Sequence, residues 1–586
     1  MHYQHQFDFY YSQNRTGSAP LKHHTNIREI NAFRAIRDII GYRIKGGPNM
    51  SFRKNDAQQI SFSDSLYGLT EREKKALDKS WAKVFADEVF PTINEDRFRV
   101  LYSEKDSRPN TPVNIIIGAL VLKELFGLSD DGVVETLMFD HRFQYALHTT
   151  SFEEQPLSDK SLSRFRIRCY DYESTHGVDL YHDCVKDLAE KTAKMMKIDG
   201  RIRRMDSMML EANIRKLSRM ELIYTCIAKL VRWLNKNGHA DLIHGMEHYC
   251  DPNDFNQVIY HAAGAEVDTR IDTLLSDADS LLKSCQGKYE DITEYQLFVR
   301  CLSDQTIVEN EKRRLKGKQD GGMNSDMLQN PSDPEATFRK KAGKEHRGYV
   351  ANFEESVGEN GSVVTDYAVE QNNTGDSALL KNHLKQMDKQ EEKVTMIADG
   401  AYSGTENQEL AEEKNVELIT TDLTGKDVDP VFADFEFNED GTRVITCPAG
   451  NQPKGCTYIK QSGMCRVSFF PDQCRNCPHR NECQAKLHKR TAIVMVSLKK
   501  RNRAQLQKEM KSDKYKLYGK IRNGVETVPS ILRNVYHADR VRARGTIRTR
   551  FFTGCKVAAL NFRKLFTYRK GLGRYAQNPL LVPQTT

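Results

Sequence analysis

Long apolar runs, a secretory signal and internal repeats are all lacking in this sequence of 586 residues. The longest uncharged apolar run, residues 115–122, has eight residues, whereas a helix that crosses a bilayer needs about 20. The N-terminus begins with histidines and aromatic residues, where a secretory signal would have a basic start and an apolar stretch of about 7–15 residues. No period of about 20–50 residues indicates a repeat architecture. We therefore expect a cytoplasmic protein that makes no contact with membranes.

The 13 cysteines are not expected to form a disulfide framework. Disulfides are uncommon in the reducing compartment where we expect the chain to reside. Seven of the cysteines are scattered singly, which is typical of small buried hydrophobic residues. The other six lie between residues 447 and 483, and this cluster needs a separate explanation.

The size and composition of the chain indicate several globular domains. A chain of 67.3 kDa exceeds what one hydrophobic core organises, and about 150 residues per domain predicts roughly four domains or large insertions. Apolar residues make up 39% of the chain and charged residues 29%, and the mean hydropathy is −0.65. These values are typical of a folded globular protein and not of a low-complexity tail.

Acidic residues are scarce in the C-terminal part of the chain. Residues 489–570, here called the basic tract, contain 23 lysines and arginines but four acidic residues, which gives a charge of +19. Since the whole chain carries +8, the other 504 residues carry −11. A basic tract on an acidic remainder favours a polyanion as partner, and nucleic acid is the leading one. A solvated basic surface, or contact with anionic lipid, is the alternative explanation.

The first part of the chain divides into an arm and a helical region. Residues 1–49 carry no long hydrophobic period, and we expect either an upstream extension of the reading frame or a flexible arm there. Across residues 69–169, apolar residues recur at the spacing of amphipathic helices. A helix opening at Ser158 presents Arg164 and Arg166 around an apolar spine, which suits contact with a DNA backbone and equally suits a solvated face.

Beyond residue 198 the pattern changes to short strands mixed with helices. Segments 376–392 and about 406–413 are helix-like, and the segment about 212–342 is mostly helical and charged. This order predicts an α/β core interrupted by insertions. The predicted strands are residues 202–210, 348–355, 362–369, 394–398 and 416–421.

Two aspartates occupy predicted strands of this core. Asp206 lies in a run that is otherwise apolar on its C-terminal side, and Asp399 ends the strand before Gly400. A carboxylate at the carboxyl end of a buried strand lies near the crevice in which α/β sheets bind ligands. An unpaired buried carboxylate is costly, so it needs a partner or a metal. For Asp399, a carboxylate that caps an Asp-Gly turn is the alternative explanation.

Glu526, one of the few acidic residues of the basic tract, is a third candidate. Tyr518, Arg522 and Glu526 are spaced four apart, so they share one face if the segment is helical. A lone carboxylate among cations is favoured as the anion and is suited to bind a hard cation. The alternative is a surface ion pair with Arg522, and Gly519 and Gly524 disfavour the helix.

The order of these acidic residues resembles that of the DDE transposases of bacterial insertion sequences. The similarity spans about residues 69–565. One difference is that three residues separate Tyr518 from Arg522, where the family commonly has two. The similar segments are Met205-Asp206-Ser207, Ser332-Asp333-Pro334, Gly348-Tyr349, Ala398-Asp399-Gly400-Ala401-Tyr402, Arg522 with Glu526, Arg544-Gly545 and Asn561.

The resemblance implies a ribonuclease-H-like catalytic core in which Asp206, Asp399 and Glu526 bind two Mg²⁺ (or Mn²⁺) ions. Two such cations, about 3.5–4 Å apart, activate the attacking oxygen and stabilise the departing one when a phosphodiester is broken. Three carboxylates also leave coordination positions open for phosphate oxygens and water. The residues expected to contact DNA are Arg164, Arg166, Tyr518, Arg522 and Arg544.

The cysteine cluster lies in an insertion between the second and third acidic residues. Its Cys-x2-Cys-x5-Cys spacing, with a further Cys-Pro upstream, supplies four soft thiolates suited to a closed tetrahedral Zn²⁺ site. Such a metal stabilises a small subdomain with few apolar residues. Free thiols or a different cysteine pairing are the alternatives. The expected ligands are Cys447, Cys474, Cys477 and Cys483, with Cys456, Cys465 and His479 as substitutes.

Together these features predict a fold, a domain order and a function. We expect an α/β protein with a ribonuclease-H-like mixed sheet core, interrupted by insertions and preceded by an all-helical N-terminal domain. The expected function is a transposase that binds the terminal inverted repeats of an insertion sequence and cleaves and transfers DNA strands with metal ions. A catalytically inactive DNA-binding regulator and a metal-dependent nuclease are the alternatives. The partners are double-stranded DNA, as element ends and as target, and other copies of the chain in a dimer or larger multimer. The expected regions are residues 1–49 (extension or arm), 50–195 (helical DNA-binding domain), 196–430 (first part of the catalytic core, with the helical insertion at about 212–342), 431–490 (cysteine-rich zinc insertion) and 491–586 (basic C-terminal part of the core).

Overall fold

Helices form the N-terminal part of the molecule. The computed structural model describes residues 51–55, 65–104, 108–149, 157–260, 266–321, 324–421 and 427–571, so the extension or arm predicted for residues 1–49 lies outside the described residues. The α-helices of the described chain are Glu71–Asp78 (α1), Trp81–Val84 (α2), Val113–Phe126 (α3), Asp130–Phe139 (α4), His141–Ala146 (α5), Asp159–His176 (α6), Leu180–Met195 (α7), Arg219–Lys236 (α8), Asp254–Ile259 (α9), Val267–Cys285 (α10), Thr293–Gln305 (α11), Asp376–Gln386 (α12), Thr405–Glu413 (α13), Pro471–Arg475 (α14), Leu498–Glu509 (α15), Asp513–Asn523 (α16), Thr527–Asn534 (α17) and Thr546–Arg569 (α18).

Helix α3 is buried on nearly all sides. It begins after Pro112 and ends at Gly127, whose φ of +66° stops the helix. The apolar run of residues 115–122 lies in this helix, which therefore forms the centre of the N-terminal helical region. Among the helices of the described residues, none has both the length and the hydropathy that a bilayer crossing requires.

A mixed sheet follows these helices. The strands of the described chain are Ile202–Glu211 (β1), Thr306–Glu309 (β2), Lys312–Leu315 (β3), Thr337–Lys341 (β4), Lys344–Gly358 (β5), Gly361–Gln371 (β6), Val394–Ala398 (β7), Val416–Thr420 (β8), Glu436–Phe437 (β9), Val444–Thr446 (β10), Gly455–Ile459 (β11), Met464–Phe469 (β12), Lys486–Leu487 (β13) and Ala492–Val496 (β14). In the main sheet β5 pairs antiparallel with both β6 and β1, and β7 and β8 continue from β1 in parallel; β4 also pairs with β5. The predicted fold class is confirmed, and this six-stranded sheet with three antiparallel and two parallel strand pairings is consistent with a ribonuclease-H-like core.

Helices cover both faces of the main sheet. On one face the long α18 packs between β6 and the N-terminal helices α3 and α7, so that a single hydrophobic core joins the helical region to the sheet. On the other face α12 and α13 pack on β7, with Leu380, Met396 and Ala411 fully buried between them. The sheet is therefore rigidly held on both sides, which fixes the positions of side chains along its central strands.

Two insertions interrupt the path of the chain through the sheet. Between β1 and β4, the helices α8 to α11 and the hairpin β2–β3 enclose a core of their own, which contains Leu230, Leu281 and Phe298. Between β8 and α15, the strands β9 to β14 form two small sheets around a third core with Val467 and Val494. The second insertion contains the cysteine cluster.

Glycine is required at one position of the main sheet where two strands approach each other closely. Gly348 in β5 pairs with Glu211 of β1 and with Thr337 of β4. Its φ is +149°, and a Cβ atom there would lie 2.3 Å from the carbonyl oxygen of Leu210. A larger residue would separate β5 from β1, so this glycine of the similar segments has a packing role.

Candidate active site

Asp206 and Asp399 occupy neighbouring positions at the centre of the main sheet. Asp206 lies in β1, and Asp399 directly follows β7, which pairs with β1 in parallel. The register pairs Arg204 with Ile397, so its continuation by two residues places Asp206 opposite Asp399. Adjacent strands are about 4.8 Å apart, and residues two apart share a face. The two aspartates therefore start side by side on the face against which α16 packs.

Asp206 is held in an environment that disfavours its ionised form. Burial raises the pKa of Asp206 to about 6, and the negative charge of Asp399 adds to the rise. The backbone N–H of Ser207 donates a hydrogen bond of 2.8 Å to Oδ1 of Asp206, and the positive charges of Lys341 and Arg522 also oppose the rise. A carboxylate held beside a second one gains stability when a cation binds between them. This pair therefore suits a cation.

Both carboxylate oxygens of Asp399 have partners. Its Oδ1 accepts a hydrogen bond of 2.6 Å from the backbone N–H of Gly400, so the Asp-Gly turn does form. Its Oδ2 forms an ion pair with Nη2 of Arg522 at 3.1 Å. Asp399 therefore caps the turn at Gly400 and also lies beside Asp206. Arg522 adds a positive charge next to these two carboxylates.

Glu526 lies beyond the helix that carries Arg522. The shared helical face predicted for the two residues does not form, because α16 ends at Asn523 and Glu526 stands at the N-cap position of α17. Gly524 gives the physical reason for this break. A Cβ atom at Gly524 would lie 2.2 Å from Nη1 of Arg204, a buried residue of β1. The chain therefore turns where this guanidinium meets the backbone, and Glu526 is exposed.

The three predicted acidic residues are not gathered into a closed metal site. Within the described residues, no group of three or more His, Cys, Asp or Glu side chains is placed so that it could hold a metal ion. The structure brings Asp206 and Asp399 together and leaves Glu526 at the surface. The Mg²⁺ ligand set therefore stays a prediction.

Asp376 is an acidic residue near this pair that the sequence analysis did not select. It opens α12, and its Oδ1 accepts a hydrogen bond of 3.0 Å from Oγ of Ser207. Burial raises the pKa of the Tyr402 hydroxyl, and the charges of Asp206, Asp376 and Asp399 raise it further. The three aspartates are therefore within electrostatic reach of the Tyr402 hydroxyl. One feature of the sequence could have identified Asp376: it lies in the first turn of a predicted helix that follows a predicted strand.

Other residues of the similar segments bind α18 to the rest of the molecule. Oδ1 of Asp333 accepts a hydrogen bond of 2.6 Å from the hydroxyl of Tyr349 and one of 3.2 Å from the backbone N–H of Gly545. Asn561 exchanges two hydrogen bonds, of 2.9 and 2.8 Å, with the backbone of Val364. These residues hold the last helix on the sheet, which is a structural role.

The residues predicted to contact DNA have different surroundings. Arg164 and Arg544 are exposed. Arg166 is bound through two hydrogen bonds, of 2.6 and 2.8 Å, by an aspartate of α4. Tyr518 is 3% exposed and packs against the sheet, and Arg522 pairs with an aspartate as described above. Arg166 and Tyr518 therefore stabilise the fold, whereas Arg164 and Arg544 are open to a partner.

The four cysteines predicted as zinc ligands line one cavity, together with His479. Burial raises the pKa of the Cys474 thiol to about 11, and the charges of the other three cysteines raise it further. The four thiols are thus within electrostatic reach of one another. The substitutes Cys456 and Cys465 interact with each other in the hairpin β11–β12 instead. The cysteines that line the cavity are Cys447, Cys474, Cys477 and Cys483.

Two regions of the chain match transposase family models. Residues 446–566, from the cysteine-rich insertion to α18, match the family described as Transposase DDE domain. Residues 73–168, in the N-terminal helices, match the family described as Transposase domain (DUF772). Asp206 and Asp399 lie outside both matched regions, whereas Glu526 lies inside the first. No curated protein and no solved structure matches the chain.

These matches agree with the resemblance that was found in the sequence, and they cover its two ends. The first contains the last of the acidic residues, and the second covers most of the helices that precede the first aspartate. Together with the mixed sheet, the two family matches support a DDE-type insertion-sequence transposase.

Proposed function

We propose that the chain binds the terminal inverted repeats of an insertion sequence and cleaves and transfers DNA strands in a metal-dependent reaction. The observation that carries this proposal is the placement of Asp206 beside Asp399 on neighbouring parallel strands. Stability alone does not explain this placement, because burying Asp206 beside a like charge raises its pKa and costs free energy. A catalytic need for two adjacent carboxylates does explain it.

Mg²⁺ or Mn²⁺ fits the side chains at this position. Both ions prefer carboxylate oxygens, and they retain open positions for phosphate oxygens and water. Asp206 and Asp399 would hold the ion, with Glu526 as a further ligand. A divalent ion bound there supplies positive charge to the phosphodiester oxygens that become more negative during cleavage and transfer.

Arg522 has a role of its own in this proposal. Its guanidinium compensates the carboxylate of Asp399 at 3.1 Å in the structure. With a cation on this carboxylate, the planar donors of Arg522 would be available to bind a phosphate of the DNA. Arg522 therefore couples metal occupancy to the binding of the scissile strand.

The other regions are assigned from their charge and from the family matches. We assign residues 50–195, which contain the DUF772 match and the exposed Arg164, to the binding of element ends. Residues 196–430 and 491–586 form the catalytic core, with the helical insertion at about 212–342. Because transposition joins two ends, the active species is a dimer or a larger multimer on DNA.

We further propose that the cysteine-rich insertion, residues 431–490, binds one structural Zn²⁺. Four thiols around one cavity match the ligand number and the softness that Zn²⁺ prefers. The core of this insertion is small, so a metal would add to the stability that packing supplies. The ligands in this proposal are Cys447, Cys474, Cys477 and Cys483.

The proposed function is tested by cleavage of a supercoiled plasmid that carries the candidate ends of the element. The wild-type chain should cut at the ends with Mg²⁺ and should bind without cutting when Ca²⁺ replaces it. Asp206→Asn and Asp399→Asn should each abolish cleavage and retain DNA binding. Asp388→Asn is the matched control, because Asp388 is an exposed aspartate on the loop before β7, and it should cut like the wild type.

The alternative functions give different results in the same experiment. A catalytically inactive DNA-binding regulator would bind the ends and cut nothing with either ion. A metal-dependent nuclease would cut plasmids with and without element ends at equal rates. Unchanged cleavage by Asp206→Asn would remove the metal site from the proposal altogether.

A further inference from the structure

The cations of the basic tract are used in two different ways. Four cations of α18 form ion pairs inside the molecule. Lys556 pairs with Glu124 of α3 at 2.6 Å, and Arg569 pairs with Glu88 at 2.6 Å. Arg550 and Lys564 are also paired with carboxylates. These cations hold α18 in the fold and leave little charge for a ligand.

Four arginines that precede or begin α18 are placed differently. Arg540, Arg542, Arg544 and Arg548, here called the arginine strip, are all exposed. Within the described residues, none of the four forms an ion pair with a carboxylate. Between them, Val541 is 4% exposed and Ala543 packs against the main core. The apolar side chains anchor this segment while the arginines point to solvent.

The backbone of the arginine strip is fixed to the end of β1. The N–H of Glu211 donates a hydrogen bond of 2.7 Å to the carbonyl of Asp539, and the N–H of Val541 donates one of 3.1 Å to the carbonyl of Glu211. Nε of Arg544 donates a hydrogen bond of 2.9 Å to the carbonyl of Asn213. The strip is thus attached to the strand that carries the first aspartate of the candidate active site.

The arginine strip also reaches the N-terminal helices. The guanidinium of Arg548 lies over the ring of Tyr170 in α6, at 5.6 Å from the ring centroid. Glu335, an acidic residue close to this segment, accepts hydrogen bonds from the backbone and the hydroxyl of Thr546. The carboxylate of Glu335 therefore binds the first turn of α18. The strip forms one positive surface that extends from the sheet to α6.

The distance between the arginine strip and the candidate active site follows from the strand geometry. Asp206 and Glu211 are five residues apart on β1, which corresponds to about 17 Å at about 3.3 Å per residue. A DNA duplex rises about 3.4 Å per base pair. For a duplex whose axis lies along β1, the strip therefore begins about five base pairs from a strand that is bound at Asp206.

We propose that the arginine strip binds the phosphate backbone of duplex DNA about five base pairs from the scissile phosphate. This inference rests on the proposed function, since it takes the strand at Asp206 as the substrate. Arginines without carboxylate partners on a rigid support bind phosphate oxygens without reading bases. The strip holds the duplex in register with the carboxylates, whatever its sequence.

The first test measures the salt dependence of DNA binding by the full chain. Arg540→Gln with Arg542→Gln should flatten the slope of log K against log salt by about 2, because each lost phosphate contact removes about 0.9. The charge-retaining pair Arg540→Lys with Arg542→Lys should keep most of the wild-type slope. Lys283→Gln with Lys288→Gln is the matched control, since both lysines are exposed in the helical insertion, and it should leave the slope unchanged.

The second test locates the contact on the DNA. Neutral methylphosphonates placed about five base pairs from the cleaved position should weaken binding by the wild type and should not weaken binding by the Arg540→Gln, Arg542→Gln variant further. The inference is overturned if that variant keeps the wild-type slope, or if both proteins respond equally to the neutral phosphates.

Failure of the proposed function gives a different outcome. The salt slope is measured without cleavage, so Asp206→Asn should keep the slope of the wild type. Loss of cleavage specificity with a slope that still depends on the strip removes the transposase reaction and keeps the DNA contact. Correct cleavage with a slope that does not depend on the strip removes the DNA contact alone.

Discussion

At the scale of single residues, the ion pair between Arg522 and Asp399 sets the charge of the candidate active site. The pair lies beside Asp206, whose pKa is already raised to about 6, chiefly by burial. Arg522 opposes that rise. Without its guanidinium, the two aspartates would face each other with less compensation, so a metal ion would have more to gain by binding.

Replacement of Arg522 tests this view of the site. We expect Arg522→Gln to lose on the order of 0.5–1 kcal/mol of unfolding free energy in metal-free buffer, because the ion pair is partly exposed. Saturating Mg²⁺ should raise the melting temperature of the variant more than that of the wild type. The measurement is calorimetric unfolding with and without Mg²⁺.

The control for this prediction is Arg201→Gln. Arg201 forms an ion pair of similar exposure with Asp199 just before β1, away from the aspartates. This variant should respond to Mg²⁺ like the wild type. An equal response of all three proteins to Mg²⁺ would contradict the prediction.

The placement of the two aspartates on neighbouring strands was predictable from the sequence, whereas the placement of Glu526 outside the helix of Arg522 was not. Asp206 and Asp399 stand in or after short apolar runs, so the strands and their parallel pairing follow from local pattern and fold class. The position of Glu526 depends on the turn at Gly524, which forms because Arg204 of a distant strand approaches the backbone there. Such a contact between remote segments leaves no local pattern.

At the scale of elements, strands β5 and β6 carry a buried network of charges. Nε2 of His383 lies 2.8 Å from Oε2 of Glu354, and Nε2 of His182 lies 2.8 Å from Oδ1 of Asp366. Burial alone would lower the pKa of His383, but the hydrogen bond and charge of Glu354 outweigh it and raise that pKa. Burial likewise opposes ionisation of Glu354, yet Arg203 and His383 lower its pKa to about 2.

This network predicts how stability depends on pH. The raised pKa of His383 adds stability that is complete below its ordinary value of about 6.5 and is lost as pH rises through the value in the folded state. The lowered pKa of Glu354 adds stability that is complete above its ordinary value and is lost as pH falls towards about 2. The difference in urea midpoint between wild type and His383→Gln should therefore shrink as pH increases from 6 to 9. A difference that grows over this range would disprove the assignment of a charged histidine.

The cysteine-rich insertion gives a prediction for metal removal. If it binds Zn²⁺, chelation should make residues 431–490 sensitive to proteolysis while the main sheet stays resistant. Cys474→Ser should abolish the bound zinc found by elemental analysis. Cys250→Ser, a half-buried cysteine outside the cluster, should retain one zinc per chain. Zinc-free wild-type protein with a protease-resistant insertion would argue against the site.

Most strands were predictable as elements, but one helix end was not. The helix predicted for residues 376–392 ends at Gln386. Beyond it, the carbonyl of Met387 accepts a hydrogen bond of 2.6 Å from Nζ of Lys414, and the N–H of Gln390 donates one of 3.0 Å to the carbonyl of Lys414. The polar residues after Gln386 have high helix propensity, yet contact with the α13–β8 turn directs them into the start of β7.

At the scale of the whole molecule, α18 connects the two regions that match transposase families. It lies in the core shared by the N-terminal helices and the sheet, and Lys556 pairs there with Glu124 of α3. Nζ of Lys556 also donates a hydrogen bond of 2.6 Å to the carbonyl of Tyr536. Both charged side chains of the pair are largely buried, and Glu124 also pairs with Lys123 at 3.0 Å, so Lys556 supplies part of the compensation that Glu124 needs.

Disruption of this pair should weaken the whole molecule. We expect Lys556→Met to lose about 3 kcal/mol of unfolding free energy, because it leaves a buried carboxylate with less compensation. Adding Glu124→Leu should restore most of the loss, since a well-packed apolar pair replaces both charges. Lys74→Met, which breaks an exposed pair with Glu71, should cost less than about 1 kcal/mol. The measurement is urea unfolding, and equal effects of the two lysine variants would be inconsistent with this role.

The charge of the basic tract predicted the role of some of its cations but not of others. Its count of 23 cations indicated a polyanion partner, and the arginine strip fits that interpretation. The count did not reveal that Lys556, Arg569 and other cations of α18 have acidic partners in the N-terminal helices. Those partners lie hundreds of residues earlier in the chain, so local charge patterning carries no sign of them.

The position of α18 has a consequence for synthesis of the protein. The helices α3 and α7 emerge from the ribosome early, but part of the surface they bury belongs to α18, near residues 546–569. The nascent N-terminal region therefore stays without a finished core until α18 has been translated. Folding of the N-terminal helices and completion of the core on the main sheet then become a single event, so an unfinished chain lacks both regions in their folded form.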